Sequence, residues 1–296
     1  MNGRNGVVNA MSVDVEDYYQ VSAFAGTVDR AKWDSFPSRV EDSTKRTLDL
    51  FAEADVHATF FTLGCVAERH KGLVRAISDA GHEVASHGWE HYRVGEQTPA
   101  EFRADVTRTK KVLEDLSGQE VKGYRAASFS IDRNTWWAFD ELAEAGYRYS
   151  SSIHPIVHDH YGVPDAPRFP FAPTEGNPLT EIPVGTLDLR GRRLSCAGGG
   201  FFRLLPYRWS SFAIGRVNRA EHQPVTFYFH PWEIDPGQPR ISPAPLRSRV
   251  RHYTNLGVME AKLKRLLRQF RWDRVDAVYG LGSPDLSSRG KVEAAE

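Results

Sequence analysis

The sequence is poor in cysteine and carries no excess of charge of either sign. Cys65 and Cys196 are the only two cysteines in 296 residues. They are too few and too far apart for the disulfide framework of a small secreted domain, so we expect both to be reduced. Lys plus Arg and Asp plus Glu each number 38, which gives a formal net charge of zero. A neutral chain has no general attraction for polyanions, and we therefore expect no nucleic-acid partner.

Long apolar runs are also missing. No segment approaches the ~20 consecutive apolar residues that cross a bilayer, which predicts that the chain has no membrane span. The first eight residues lack the basic start and the apolar stretch of a signal peptide, so we expect a cytoplasmic protein. Hydrophobic residues make up 41% of the chain and charged residues 26%. This balance excludes intrinsic disorder and is typical of an enzyme-sized globular protein.

Short apolar strands alternate with amphipathic helices, which predicts a largely parallel sheet or barrel. The clearest helix start is Thr98-Pro99-Ala100-Glu101, because Thr98 is a capping residue, Pro99 suits the first helical position and Glu101 completes a capping box. Residues 155–178 are rich in Pro, His and Asp and predict a long surface excursion. The strands are predicted at 7–15, 58–63, 83–86, 121–125, 147–153, 181–184, 186–189 and 225–229, and the helices at 43–54, 66–80, 98–117, 134–145, 207–220 and 258–270.

Chemically useful side chains stand where the predicted strands end. They are the cluster Asp14-Val15-Glu16-Asp17, His87, Arg125 and His230. Taken singly, each has an ordinary structural explanation, such as a loop cap or a buried histidine with satisfied hydrogen bonds. In barrels and open parallel sheets, however, the carboxyl ends of the strands form the edge at which active sites assemble. We therefore expect these residues to meet in one site.

His87 and His91 have the spacing of a pair of metal ligands. On a helix this spacing would place both imidazoles on one face. Gly88 and the strand before His87 instead favour a turn that brings both rings toward one point. A borderline divalent ion is held by imidazoles plus a carboxylate, with positions left open for water and substrate. The carboxylates at the end of the first strand supply the third ligand, which is a catalytic arrangement rather than a structural one.

These segments resemble the NodB-homology polysaccharide deacetylases, carbohydrate esterase family four, and more narrowly the deacetylases of exosortase-associated exopolysaccharide loci in bacteria. The resemblance implies an α/β fold, a distorted (β/α) barrel with fewer than eight strands, with a long inserted loop and a C-terminal helical extension. It implies that residues 5–240 form the barrel and that residues 241–296 pack on it without being an independent domain. The matching segments are 12–19 (SVDVEDYY), 86–91 (SHGWEH), 124–130 (YRAASFS), 198–203 (GGGFFR), 229–233 (FHPWE) and 251–256 (RHYTNL).

The same resemblance implies an activity. It is metal-dependent removal of N-acetyl groups from a polysaccharide or oligosaccharide, in bacterial exopolysaccharide biosynthesis, so the expected partner is an N-acetylated glycan. The expected cofactor is a divalent metal ion, Zn²⁺ in first place and Co²⁺ in second. The alternative is a related metal-dependent C–N hydrolase of allantoinase type, which acts on a small amide or ureide. A non-catalytic binding module is disfavoured because such a module needs no paired base and acid.

The position of each residue in the family motifs implies its role. Asp14 matches the catalytic base, Arg125 the arginine that orients the base, and His230 the general acid. His87 and His91 match the two histidine ligands of the metal.

The carboxylate ligand is either Glu16 or Asp17. Strand alternation puts Glu16 on the same face as Asp14, whereas a turn that begins at Glu16 would aim Asp17 inward. We favour Asp17 because an aspartate is the usual ligand in the family.

Two residues next to His230 have open roles. Trp232 is a candidate for substrate binding by stacking on a sugar ring, and the alternative is a packing role. The family's Asp-Trp motif has no match near residues 150–152, so the group that tunes His230 is unassigned. Glu233 is one candidate for it, with a surface salt bridge as the alternative.

Overall fold

The computed structural model describes residues 6–281, and these contain ten strands. All but two of them belong to one sheet. The strands are β1 (Val8–Val15), β2 (Thr59–Thr62), β3 (Glu83–Ser86), β4 (Gly123–Tyr124), β5 (Tyr149–Ser150), β6 (Thr180–Glu181), β7 (Thr186–Leu189), β8 (Arg192–Ser195), β9 (Thr226–Phe229) and β10 (Arg271–Asp273).

Ten α-helices connect and flank these strands in the same residues. None of the helices described is both long and apolar enough to cross a bilayer, and neither Cys65 nor Cys196 forms a disulfide. The helices are α1 (Val40–Ala54), α2 (Gly64–Arg69), α3 (Lys71–Asp79), α4 (Pro99–Ser117), α5 (Ala138–Glu144), α6 (Gly199–Leu204), α7 (Tyr207–Arg216), α8 (Leu246–Tyr253), α9 (Leu256–Gln269) and α10 (Val275–Val278). Short 3₁₀ segments occur at Ser22–Phe24, Arg30–Ser35, Val94–Glu96, Ala127–Phe129 and Pro231–Ile234.

The main sheet is parallel throughout and curls into a barrel, of which β1 is one strand. Strand β1 pairs with β9 on one edge and with β2 on the other, and β3, β4, β5 and β6 follow β2 in order. After β6, Gly185 donates its backbone N–H to the Thr226 carbonyl at 3.0 Å, which brings the chain back against β9. Seven strands thus follow the circuit, and β10 pairs only with the start of β1. The predicted distorted (β/α) barrel is confirmed.

Both faces of the central strands β2 and β3 are buried, which explains why apolar side chains occur on both faces. All four residues of β2 and of β3 are buried, as expected for parallel strands covered by helices. Successive side chains point to opposite faces. Phe60 packs with the helices in the largest apolar cluster, whereas Phe61 packs with Tyr149 and Ile182 in a separate small cluster. The strands therefore have fixed positions, and the side chains at their ends are held in place.

Some element boundaries differ from those predicted. The predicted helix 66–80 is two helices, α2 and α3, which meet at His70, whose φ of −118° and ψ of 57° are not helical. The His70 ring lies against α1, with its Nδ1 3.0 Å from a Glu41 carboxylate oxygen. The predicted excursion is present, and between β5 and β6 it contains turns and one antiparallel bridge, Phe171 to Glu181. Residues 282–296 of the predicted C-terminal extension and residue 5 of the predicted barrel lie outside the described residues.

The capping box at the start of α4 is formed as predicted, and it allows a stability test. Thr98 Oγ1 accepts the Glu101 N–H, and the Glu101 carboxylate accepts the Thr98 N–H at 2.8 Å. We expect Thr98→Ala to lower the free energy of unfolding by about 1 kcal/mol, because it removes this cap. Thr107→Ala is the matched control, since Thr107 is exposed in the middle of the same helix. Equal effects of both substitutions in denaturant unfolding would contradict the capping role.

Candidate active site

The polar residues at the strand ends do converge at one edge of the barrel. Asp14 lies near the end of β1, His87 directly follows β3, and Arg125 directly follows β4. His230 directly follows β9, which is the other neighbour of β1. Because β1, β2, β3 and β4 are parallel neighbours, their carboxyl ends share one edge of the sheet. The convergence therefore follows from the topology.

Asp14 and Arg125 form a buried ion pair inside this edge. The Arg125 guanidinium is fully buried and donates from Nη1 to Asp14 Oδ1 at 2.6 Å. Its other donors go to Ser12 Oγ at 2.8 Å and to the carbonyl and hydroxyl of Ser151 at 2.9 and 2.8 Å. A charge-assisted pair with this many fixed hydrogen bonds holds one carboxylate oxygen of Asp14 in place. The second oxygen, Oδ2, faces His230.

Glu16, His87 and His91 form a compact group of potential metal ligands. One ligand atom from each of the three lies within 4.8 Å of the others. His87 Nδ1 is 2.8 Å from the Arg125 carbonyl, and since a carbonyl only accepts, Nδ1 carries the proton and Nε2 is the free nitrogen. Left-handed backbone at Gly88 (φ 77°) and His91 (φ 55°) makes the turn that brings the second imidazole back. The turn predicted between the two histidines is therefore present.

The donor set fits a borderline divalent cation. Glu16 Oε2 is buried and has no hydrogen-bond partner within residues 6–281, although His91 Nε2 lies 3.1 Å away. Burial raises the pKa of Glu16 to about 7, against the opposing effect of His230. Burial also lowers the pKa of His87 and of His91, so both imidazoles are neutral at neutral pH, the form that binds metal. Two neutral imidazoles and a carboxylate oxygen without a partner are suitable ligands for such an ion.

Asp17, the carboxylate ligand favoured from the sequence, is engaged at the start of α1, and Glu16 is the carboxylate grouped with the two imidazoles. Asp17 Oδ2 accepts hydrogen bonds from Ser38 Oγ at 2.7 Å, the Arg39 N–H at 2.9 Å and the Val40 N–H at 3.2 Å. It therefore satisfies donors at the start of α1, where a helix has N–H groups without partners. The carboxylate that faces the imidazoles is Glu16, which follows a tight turn in which its N–H lies 3.1 Å from the Asp14 carbonyl.

His230 faces the same group from the opposite edge of β1. Its Nε2 is 3.4 Å from Glu16 Oε1 and 3.9 Å from Asp14 Oδ2. Its Nδ1 is 3.3 Å from Glu233 Oε2. Burial alone would lower the pKa of His230, but the carboxylates of Glu16, Glu233 and Asp14 raise it to about 9. The ring is thus protonated at neutral pH and can donate a proton.

Glu233 is buried, which removes the surface salt bridge considered as its alternative role. Its Oε1 accepts from Arg203 Nε at 2.8 Å, and both side chains are almost completely buried. Burial by itself would raise the pKa of Glu233, but Arg203 and His230 lower it to about 2. Arg203 lies in the GGGFFR segment, but its sequence position 30 residues before Glu233 gave no sign of this contact.

Trp232, the predicted candidate for sugar stacking, is a buried side chain. Its side chain is only 6% exposed and stacks on the rings of His230 and His252. Its indole N–H donates to Glu16 Oε1 at 3.3 Å. Trp232 therefore packs behind the site and helps to hold Glu16, which corresponds to the packing alternative.

Two family models together cover most of the chain. Residues 26–150 match the family model described as polysaccharide deacetylase. Residues 151–280 match a domain of unknown function, DUF3473. His87, His91 and Arg125 lie in the first segment, and His230 lies in the second.

Curated relatives resemble part of the chain in sequence, and solved structures resemble it in fold. A peptidoglycan-N-acetylglucosamine deacetylase of Bacillus cereus is 29% identical over 40% of this chain and 44% of its own length. A chitooligosaccharide deacetylase of Bradyrhizobium is 27% identical over 38% of this chain and 48% of its own length. The chain thus spans less than half of these relatives. Two crystal structures share the fold: a "putative polysaccharide deacetylase" of Mycobacterium smegmatis (TM-score 0.61, 19% identity, 100% of this chain and 96% of that one) and Puue allantoinase (TM-score 0.60, 15% identity, 94% and 90%).

The two neighbouring carboxylates give a direct test of the ligand set. We expect Glu16→Gln to weaken divalent-metal binding at least ~10-fold. Loss of a group that only orients a metal ligand already costs about 10-fold in affinity, and loss of the ligand itself costs no less. The matched substitution Asp17→Asn leaves metal affinity unchanged but lowers the melting temperature, since it weakens the cap of α1. Calorimetric titration with Zn²⁺ and thermal unfolding measure the two effects. The reverse pattern would restore Asp17 as the ligand.

Proposed function

We propose that the chain is a metal-dependent hydrolase that removes N-acetyl groups from a polysaccharide or oligosaccharide. The observation that carries this proposal is that His230 Nε2 lies 3.9 Å from Asp14 Oδ2 and 3.4 Å from Glu16 Oε1, a member of the Glu16–His87–His91 group. A base and an acid beside a potential metal site are the parts that amide hydrolysis needs. In this proposal Glu16, His87 and His91 hold the ion, which is Zn²⁺ in first place and Co²⁺ in second.

The base half of the site consists of Asp14 and Arg125. Arg125 binds Oδ1 of Asp14, which leaves Oδ2 directed at the site. The guanidinium fixes the orientation of the carboxylate through this charge-assisted hydrogen bond. Asp14 then accepts a proton from the attacking water.

The acid half is His230. Amine nitrogen is a poor leaving group, so the C–N bond breaks only as the nitrogen gains a proton. His230 donates this proton from Nε2, the nitrogen that faces Asp14 and Glu16. The oxygen of water ends on the acetyl carbon, and the proton from His230 ends on nitrogen as the C–N bond breaks. The proton taken up by Asp14 returns to His230, and the acetic acid gives its proton to the amine, so the products are acetate and the protonated amine. A bound divalent ion would lower the pKa of water and polarise the acetyl carbonyl.

The glycan substrate is supported by the deacetylase model over residues 26–150 and by relatives named as peptidoglycan and chitooligosaccharide deacetylases. The narrower role in bacterial exopolysaccharide biosynthesis is supported by the resemblance of segments 198–203 and 251–256 to the exosortase-associated deacetylases. We further propose that residues 5–240 are the catalytic barrel and that residues 241–296 form an extension of it. Pairing of β10 with β1 supports this arrangement.

Substitution of the base and the acid separates turnover from metal binding. We expect Asp14→Asn and His230→Ala each to lower kcat by roughly 10²–10⁴-fold, because each removes one proton-transfer partner. Neither residue belongs to the proposed ligand set, so elemental analysis gives the same metal content as for the unchanged protein. Full turnover by Asp14→Asn would remove this residue from the base role.

Acetate release identifies the reaction. The protein is incubated with a panel of N-acetylated oligosaccharides, with Zn²⁺, with Co²⁺ and with chelator, and acetate is measured. We expect acetate only in the presence of metal. Release of ammonia or of ureide cleavage products from allantoin-like compounds, without acetate from any glycan, would favour the alternative of a small-amide hydrolase. Turnover that is unchanged by chelator would contradict metal dependence.

A further inference from the structure

The buried carboxylate behind His230 bridges the imidazole and a guanidinium. Glu233 Oε2 accepts the His230 backbone N–H at 3.0 Å and lies 3.3 Å from His230 Nδ1. Its Oε1 accepts from Arg203 Nε at 2.8 Å. Within the part of the chain that the structure describes, the polar contacts of the Glu233 carboxylate are therefore with one acid–base residue and one arginine. A partner on the far nitrogen of a catalytic imidazole fixes which nitrogen faces the substrate.

The backbone of α6 comes so close to this carboxylate that only glycine fits. A Cβ added at Gly199 would overlap the carboxylate of Glu233, whereas a Cβ at the neighbouring Gly200 would have no atom within 4 Å. Gly199 does not have a positive φ. It is therefore needed for the close approach of backbone and carboxylate and not for its conformational freedom.

Arg203 is itself fixed by the turn that joins α8 and α9. Its guanidinium donates to the carbonyls of Thr254 and Arg251, and its own carbonyl accepts from Asn255 Nδ2 at 2.9 Å and Lys262 Nζ at 3.0 Å. The segments GGGFFR and RHYTNL thus meet behind His230. The proposed chemistry assigns neither segment a part of its own.

We propose that Gly199, Arg203 and Glu233 form a positioning unit for His230. The Glu233 carboxylate accepts a hydrogen bond from His230 Nδ1–H and thereby directs Nε2 toward Asp14 and the scissile nitrogen. Arg203 orients the carboxylate, and Gly199 makes room for it. This inference rests on the proposed function for the role of His230. It also gives a role to residues 151–280, which match a domain of unknown function. In this proposal these residues form the proton-donating half of the site.

Two neighbouring glycines provide the matched test. We expect Gly199→Ala to displace the carboxylate and to lower kcat on an N-acetylated oligosaccharide at least ~10-fold, as loss of a well-placed acid does. The KM should stay within about twofold, since substrate binding is not changed. Turnover of 4-nitrophenyl acetate should also persist, because its leaving group departs without a proton. Gly200→Ala should behave like the unchanged protein with both substrates.

A second set of variants covers the case in which Gly199→Ala does not fold. Glu233→Gln keeps the shape of the side chain and should show the same split between the amide and the activated ester. Arg203→Met should be no worse in combination with Glu233→Gln than Glu233→Gln alone, because the arginine acts through the carboxylate. Fully additive losses, or equal losses on both substrates, would overturn the positioning role.

Histidine spectra separate this inference from the proposed function. In ¹⁵N-histidine-labelled protein, we expect a slowly exchanging Nδ1–H signal that His230→Ala removes. Glu233→Gln should shift or remove it, and Gly200→Ala should leave it unchanged. If the unchanged protein releases no acetate, the proposed function fails, and this signal alone decides the positioning unit. A signal that is the same in Glu233→Gln would overturn the unit even if the protein is an active deacetylase.

Discussion

The buried carboxylate of Glu16 is the constraint on which the site depends. Burial of a negative charge costs free energy unless a positive charge or hydrogen bonds compensate for it. Asp14 has the guanidinium of Arg125, and Glu233 has that of Arg203. Glu16 Oε2 has no hydrogen-bond partner among the described residues. His230 and the Trp232 N–H face the other oxygen, Oε1. A divalent cation shared with the two imidazoles is, in our proposal, the partner that Oε2 lacks.

The fold and the meeting of the polar residues could be predicted from sequence because both follow from parallel topology. Alternation of strands and helices predicts a parallel sheet, and the carboxyl ends of its strands share one edge whatever their lengths. His87, Arg125 and His230 needed only to follow their strands directly. The observed strands begin or end up to three residues away from the predicted positions. This result is unchanged, since such a shift leaves His87, Arg125 and His230 at the same edge of the sheet.

The details that sequence could not supply depend on contacts between distant parts of the chain. Glu16 and Asp17 are adjacent, and either could face inward until the turn after β1 is known. What decides is that Asp17 is engaged by residues 38–40 at the start of α1. Trp232 is likewise a residue type that often stacks on sugar rings. Its burial depends on the ring of His252 in α8, which stacks on it and which the sequence does not place there. One site is thus built from both family segments and from the strand that precedes them.

Anomalous diffraction from crystals grown with Zn²⁺ tests the central claim most directly. Data collected on both sides of the zinc absorption edge locate the ion without any assumption about activity. We predict one strong peak within coordination distance of Glu16, His87 Nε2 and His91, at about 2.0–2.2 Å from each ligand atom. A peak that lies on Asp17 instead, or no peak at these residues in crystals that hold zinc elsewhere, would contradict the account.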